Sequence, residues 1–192
     1  MTKAESFLWI NNSHNRFLDF FMPPVTFLGD GIFAVIISIL MILYKIRYSI
    51  FLFLSYLLSG LFVQLLKRLI FSDFLRPVAY FRELGIEIYT LPGIEIPNHY
   101  SFPSGHTATA FALYLGISFF VRSWYWKLAL LILAMIAGFS RIYLAMHFPV
   151  DVIAGSLIGV LVTFILFNWI SGWKKDWLDV SLPSIIFKQA KK

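Results

Sequence analysis

Ser140-Arg141-Ile142-Tyr143-Leu144-Ala145-Met146-His147-Phe148-Pro149-Val150-Asp151 stands between two long apolar runs. Ionisable side chains are costly at such a place and usually serve a function. The spacing predicts Arg141 at the end of one membrane helix and His147 and Asp151 at the start of the next. Pro149 fits the first turn of that second helix, where a missing N–H costs nothing. Asp151 then lies one turn along from His147. There it can hold one imidazole nitrogen and leave the other free to attack, as the acid of a catalytic triad does. The bland alternative is a charged cap that ends two membrane helices.

Outward from this stretch the chain is built for lipid. Of its 192 residues, 59% are hydrophobic and 14% charged, and mean hydropathy is +0.79; soluble domains carry roughly 25% charged residues. Uncharged runs cover 48–66, 107–121, 128–140 and 152–173, and a further run covers 31–44, extendable upstream through 25–28. With their flanks they approach the roughly 20 residues that cross a bilayer. The expected fold is all-α: a polytopic membrane helix bundle of five or six transmembrane helices with an N-terminal interfacial helix. Residues 1–192 are expected to form one integral-membrane domain. The start of the chain lacks the apolar core and cleavage site of a secretory signal, and the absence of cysteine excludes disulfides.

Net charge is +6, which suggests nucleic acid or anionic lipid until the loops are separated by side. One side carries Lys45, Arg47, Arg122, Lys127, Lys174, Lys175, Lys188, Lys191 and Lys192 against Asp176 and Asp179. On the other side, seven basic residues meet eight acidic ones. Short loops rich in Lys and Arg stay in the cytoplasm. The C-terminus is therefore expected inside, with Arg141–Asp151 facing outward, and no nucleic-acid partner is implied.

Residues 1–24 read as an amphipathic, interfacial lead-in broken by Pro23-Pro24, with His14 solvated at that interface. The one long connection, 72–102, is expected on the outer side and, at that length, is functional or has structure of its own. Pro77 can start a short helix through Glu83, stopped by Gly85. Alternation through 86–90 and 94–96 around Pro92-Gly93 predicts a small hairpin. Ser104 can cap the third span, and Gly155 with Gly159 forms a small-residue face suited to packing inside the bundle. The tail, 171–192, is expected along the cytoplasmic surface.

Directed alternately, the spans bring four helix termini to the outer face. These carry Lys67 and Arg68; Ser104, Gly105 and His106; Arg141; and His147 with Asp151. Phosphate chemistry suits such a cluster. Arginine offers fork-shaped donors, the start of the third span offers free N–H groups and a positive dipole end, and Gly105 permits close backbone approach. By ligand type, His106, His147 and Asp151 could hold zinc, but the neighbouring arginines argue against a cation. Asp73, Glu83, Glu87 and Glu95 are scattered and read as solvated, and His99 reads as a surface loop residue.

These residues resemble the type 2 phosphatidic acid phosphatase superfamily, which includes lipid phosphatases, glucose-6-phosphatase and vanadium haloperoxidases. Its motifs are K-x6-R-P, P-S-G-H and S-R-x5-H-x3-D. The second is intact as Pro103-Ser104-Gly105-His106, and the third as Ser140-Arg141 through His147 to Asp151. The first departs: Arg76-Pro77 is present, but the lysine position holds Leu69, and Lys67 and Arg68 precede it. Neighbouring helix residues point about 100° apart, so one of the two is expected to meet phosphate. A slightly longer turn at 71–74 would make it Lys67, with Arg68 as the alternate.

The resemblance implies that His147 attacks phosphorus to form a phosphohistidine, with Asp151 orienting its ring. His106 protonates the leaving oxygen and then helps water release phosphate, while Lys67, Arg76, Ser104, Gly105 and Arg141 bind the phosphoryl oxygens. No metal or organic cofactor is implied. The expected substrate is a membrane lipid phosphate: undecaprenyl pyrophosphate, a lipid A phosphate, phosphatidylglycerophosphate or phosphatidic acid. A lipid phosphotransferase using the same phosphohistidine and a non-catalytic lipid carrier are the alternatives; residues fixed to membrane spans disfavour a haloperoxidase. The expected setting is the bacterial inner membrane, as a monomer or weak homodimer with the site on the outer face.

Overall fold

A computed structural model describes residues 2–189, with side-chain burial through 186. Expectations for Met1, for the Lys188 side chain and for Lys191 and Lys192 lie outside the described residues. Among the described residues nine α-helices run in order: α1 (Lys3–Asn11), α2 (Arg16–Thr26), α3 (Gly31–Leu40), α4 (Ile46–Leu69), α5 (Pro77–Glu83), α6 (Gly105–Ser118), α7 (Trp124–Tyr143), α8 (Pro149–Ser171) and α9 (Leu182–Gln189). Among the described residues there is no strand. The chain is an all-α membrane bundle.

The three longest helices, α4, α7 and α8, are long and apolar enough to cross a bilayer. At 1.5 Å per residue they measure about 36, 30 and 35 Å, against a hydrocarbon core of about 30 Å. A fourth candidate span is bent: Arg16–Gly29 and Gly31–Leu43 meet at 55°. Helices thus occupy all five expected stretches, but α6 has only 14 residues, about 21 Å. It is the interior helix of the bundle, packed on α4, α7 and α8, with Ala108, Ala110, Ala112 and Leu113 fully buried.

Small residues permit that burial. A Cβ on Gly159 of α8 would collide with the Ala108 carbonyl oxygen, and one on Gly116 would lie 2.5 Å from Leu52. Inside a membrane, helices associate through such close packing, because lipid is as apolar as leucine. The small-residue face of α8 therefore packs within the bundle. Leu61, Phe62 and Leu65 of α4 and Leu157, Leu161 and Phe164 of α8 are exposed around the outside, where lipid would cover them.

The lead-in differs from the single interfacial segment expected. Phe7 of α1 is fully buried, its ring 5.5 Å from that of Phe81 on α5 and 5.6 Å from that of Phe148. A buried phenylalanine of this kind costs about 3–5 kcal/mol to truncate to alanine. Nor do Pro23 and Pro24 break the chain: both lie inside α2. Proline's fixed φ is helical, and buried Met22 and Val25 on either side hold the turn against the bundle. The break falls at Asp30, which is extended (φ −76°, ψ 146°) and caps α3 through the Ile32 N–H at 2.7 Å.

The hairpin expected over 86–96 does not form. Both backbone groups of Tyr89 are taken by one side chain: Asn11 Nδ2 donates to the Tyr89 carbonyl at 2.9 Å, and the Tyr89 N–H donates to Asn11 Oδ1 at 3.0 Å. Pro92 and Pro97 remove further donors. The alternation instead turns Ile88, Leu91, Ile94 and Ile96 down onto the helices below. The short helix from Pro77 to Glu83 forms as expected, followed by Gly85 in the left-handed region at φ 69°. At the opposite end, Arg47 ties the tail down through Asp179 and the carbonyls of Ile170 and Trp173.

Candidate active site

His147 sits in the turn between α7 and α8, 2% exposed. Its backbone N–H and that of Met146 both donate to the Arg141 carbonyl, and Ala145 takes positive φ (53°) to make the turn. Pro149 opens α8, placing Asp151 in its first turn. Asp151 Oδ2 lies 3.4 Å from His147 Nδ1, accepts the Phe148 N–H at 3.0 Å, and accepts the Ser101 hydroxyl at 2.5 Å. A carboxylate held from three sides fixes the ring with its second nitrogen, Nε2, unengaged. Burial pushes the His147 imidazole down to about 3; Arg76 and Lys67 push the same way, and the Asp151 hydrogen bond opposes them. The ring is therefore neutral, the state a nitrogen nucleophile needs.

The start of α6 is tied to the same place. The Ser104 N–H donates to the Asp151 carbonyl at 2.9 Å, and the Ser104 hydroxyl caps the helix, accepting from the N–H and hydroxyl of Thr107. First-turn amides such as those of Gly105 and His106 have no intrahelical acceptor and point out of the helix end. A Cβ on Gly105 would meet only Val63, at an ordinary 3.7 Å, so no protein atom crowds this position.

Three cations complete the group. Lys67, in the last turn of α4, is 6% exposed and Arg141 is 7% exposed. Arg76 is half-buried, its guanidinium donating to the carbonyls of His99 and Met146. Arg141 donates to the Thr26 hydroxyl at 2.7 Å, while its Nε is buried with no partner among the described residues. Among the described residues, no carboxylate lies within ion-pair distance of Lys67, Arg76 or Arg141. Arg68 points outward and is exposed. The extra length between Lys67 and Arg76 is taken up by a turn in which Phe71 and Phe74 pack on Phe102.

His106 is about one-third exposed, with its Nε2 3.5 Å from Asp30 Oδ2. It borders a cavity of about 330 Å³ between α3, α4 and α6, lined also by Tyr56, Gln64 and Gly105. His99 and His14 stay outside the cluster: both are exposed, and His14 stacks on Tyr89 with ring centroids 3.8 Å apart. Sequence reading missed Asp30, Ser101 and Thr26. An aspartate before Gly31 and an apolar run signals a helix cap, but nothing local says that its second oxygen faces His106. Ser101 and Thr26 carry no signal of their own.

Comparison with known proteins agrees with this fold. Residues 48–175 match the family model of the PAP2 superfamily. Undecaprenyl-diphosphatase BcrC of Bacillus subtilis is 36% identical over 69 residues, spanning 36% of this chain and 35% of that protein. The chain thus matches only about a third of that relative's length. Lipid A 4'-phosphatase of Bacteroides thetaiotaomicron is 29% identical over 159 residues, 79% of this chain and 69% of that protein. The crystal structure of Aquifex aeolicus LpxE superposes with a TM-score of 0.75 at 30% identity, covering 85% of this chain and 93% of that one. By the extent of the family match and by its fold, the chain belongs to the PAP2 superfamily.

Proposed function

We propose that this protein is a metal-independent lipid phosphatase, hydrolysing a phosphate ester or pyrophosphate on a membrane-anchored lipid through a phosphohistidine. One observation carries the reading: Lys67, Arg76 and Arg141 gather beside the carboxylate-oriented histidine and His106, and among the described residues none of the three has a carboxylate within ion-pair distance. Buried charge without a partner is strongly unfavourable, and a phosphoryl group is the anion that would satisfy all three.

His147 Nε2 attacks phosphorus, and the P–O bond to the leaving group breaks as the P–N bond forms. Asp151 holds the Nδ1 proton and stabilises the charge gained by the ring. Lys67, Arg76, Arg141, the Ser104 hydroxyl and the amide of Gly105 meet the phosphoryl oxygens, as preorganised donors do at a developing oxyanion. His106 protonates the leaving oxygen, then takes a proton from the water that splits the phosphohistidine. Such acid–base help is worth roughly 10²–10⁴-fold.

The relatives' names point to undecaprenyl diphosphate or a lipid A phosphate, and phosphatidylglycerophosphate and phosphatidic acid share the same chemistry. Residues 1–192 act as one integral-membrane domain in a bacterial inner membrane. Its outer loop, 72–102, lies on the active-site side, and its tail, 171–192, is cytoplasmic, in line with the distribution of Lys and Arg.

The test is phosphate release from a panel of these lipids in detergent micelles, with chelator, with vanadate and with His147→Ala. Release that persists with chelator, falls with vanadate and vanishes in the variant is expected. Activity that needs added metal, or survives His147→Ala, overturns the reading. A phosphorylated acceptor lipid in place of free phosphate would make the protein a transferase.

A further inference from the structure

The phosphatase reading gives His106 a proton to donate, and its surroundings oppose keeping one. Arg141, Lys67 and Arg76, from α7, α4 and the turn before α5, all lie close enough to act on His106 by charge, and the fourth such group is Asp30. An imidazolium among three cations needs an anion beside it. Asp151 is already engaged by His147, Ser101 and the Phe148 amide, which leaves Asp30.

The break between α2 and α3 fixes that carboxylate. Asp30 Oδ1 is occupied by the Ile32 N–H at 2.7 Å, which turns Oδ2 toward His106 Nε2 at 3.5 Å. The flanking glycines dock the break on both sides. A Cβ on Gly29 would lie 2.8 Å from the His106 carbonyl oxygen, and one on Gly31 would lie 2.7 Å from the Tyr56 hydroxyl. Backbone held this closely on the turn that carries His106 cannot drift away from it.

We propose that Asp30 is the positioning residue of the acid step: it holds His106 through Nε2–H and supplies the counter-charge for its imidazolium, leaving Nδ1–H to protonate the leaving oxygen. The P–N bond to His147 forms as the P–O bond breaks, the Nδ1 proton passes to that oxygen, and the Nε2 proton stays on the now neutral His106 ring, facing the Asp30 carboxylate. The proposal rests on the phosphatase reading above and adds a residue that the family motifs do not contain.

The experiment compares two leaving groups through kcat/KM, which ends at the first irreversible step and so omits hydrolysis of the phosphohistidine. One substrate is an alkyl lipid phosphate, whose alkoxide must be protonated. The other is a chain-bearing nitrophenyl phosphate, whose phenolate leaves unaided. Asp30→Asn keeps a residue favoured at helix starts and removes the charge; Asp30→Ser is a second cap should the first fold poorly. The alkyl substrate is expected to lose about 30-fold or more and the nitrophenyl substrate less than about 3-fold, a selective share of what acid–base help supplies. The alkaline limb of the alkyl pH profile should move to lower pH. His106→Gln should reproduce the pattern, and adding Asp30→Asn to it should cost nothing further. Equal loss on both substrates, no loss on either, an unmoved alkaline limb or additive losses would overturn the proposal. A wild-type protein inactive on every phosphate would instead overturn the phosphatase reading beneath it.

Discussion

Gly155 of α8 lies against the carbonyl oxygen of Ser104 so closely that a Cβ there would overlap it. That contact joins the start of the helix carrying Ser104, Gly105 and His106 to the helix carrying Asp151. It is reinforced by the hydrogen bond from the Ser104 N–H to the Asp151 carbonyl.

Two glycines near this contact should therefore fail in different ways. Gly155→Ala forces α6 and α8 apart and should cost the roughly 1–3 kcal/mol of stability typical of overpacking, seen as a lower thermal midpoint in detergent. Gly105→Ala meets no protein atom closer than 3.7 Å. It should leave the midpoint within a degree or two and cut phosphate release by about tenfold or more. Paired melting curves and rate measurements on the two variants check both outcomes; a stable, inactive Gly155→Ala or an unfolded Gly105→Ala would contradict the assignment.

Lys67 and Arg68 are adjacent in sequence and opposite in placement, one buried and one exposed. Lys67→Ala should lower kcat/KM by about 100-fold, near the 2.7–4 kcal/mol of a lost transition-state donor. Arg68→Ala should change it by less than about 3-fold. Rates on one lipid substrate for both variants decide the matter.

Protonation of His147 should couple to folding. Its folded value, about 3, lies below the roughly 6.5 of an unfolded histidine. Between those limits the unfolded chain binds a proton that the folded chain refuses. The stability contributed by the neutral ring is full above pH 6.5 and is lost as pH falls toward 3, by up to about 1.4 kcal/mol per pH unit. Thermal midpoints from pH 7 to pH 4 should fall more steeply for the wild type than for His147→Asn, which has no such group; parallel curves would show that the ring is not held neutral.

On the opposite surface, Arg47 donates to Asp179 and to two backbone carbonyls, Ile170 and Trp173. The Arg47 guanidinium holds the Asp179 carboxyl below its usual range. Arg47→Ala should lower stability by about 1–2 kcal/mol, chiefly through the lost carbonyl contacts, and leave kcat/KM within about 2-fold. Chemical unfolding monitored by tryptophan fluorescence, beside the standard assay, tests the separation.

What could be read from the sequence was what neighbouring residues decide together. Pro103 to His106 is a cap followed by a helix start, and Ser140 to Asp151 is a helix end, a turn and a helix start, so the placement of each side chain follows from local geometry. The bundle of apolar helices was legible for the same reason. What escaped depends on distant packing. Asp30 meets His106 only because α3 docks on α6, and Ser101 meets Asp151 only because the 72–102 loop folds back over α8. The 86–96 segment alternates like a hairpin, but its partner is the Asn11 side chain, far away in sequence. Pro23-Pro24 looked like a break because nothing local records that Met22 and Val25 are buried. The stretch between Lys67 and Arg76, two residues longer than the motif spacing, contains the Phe71–Phe74 turn, which packs on Phe102.

The covalent step is open to direct capture. Protein mixed briefly with a lipid phosphate labelled in its phosphoryl group, then quenched in alkali, where phosphohistidine survives, should carry label on the peptide containing His147. That label should be absent from His147→Ala, and it should accumulate in His106→Gln when the labelled substrate is the chain-bearing nitrophenyl phosphate, whose leaving group needs no acid while release from the phosphohistidine is slowed. Rapid hydrolysis with no label on residue 147 at any quench time, or label on another residue, would contradict nucleophilic attack by this histidine.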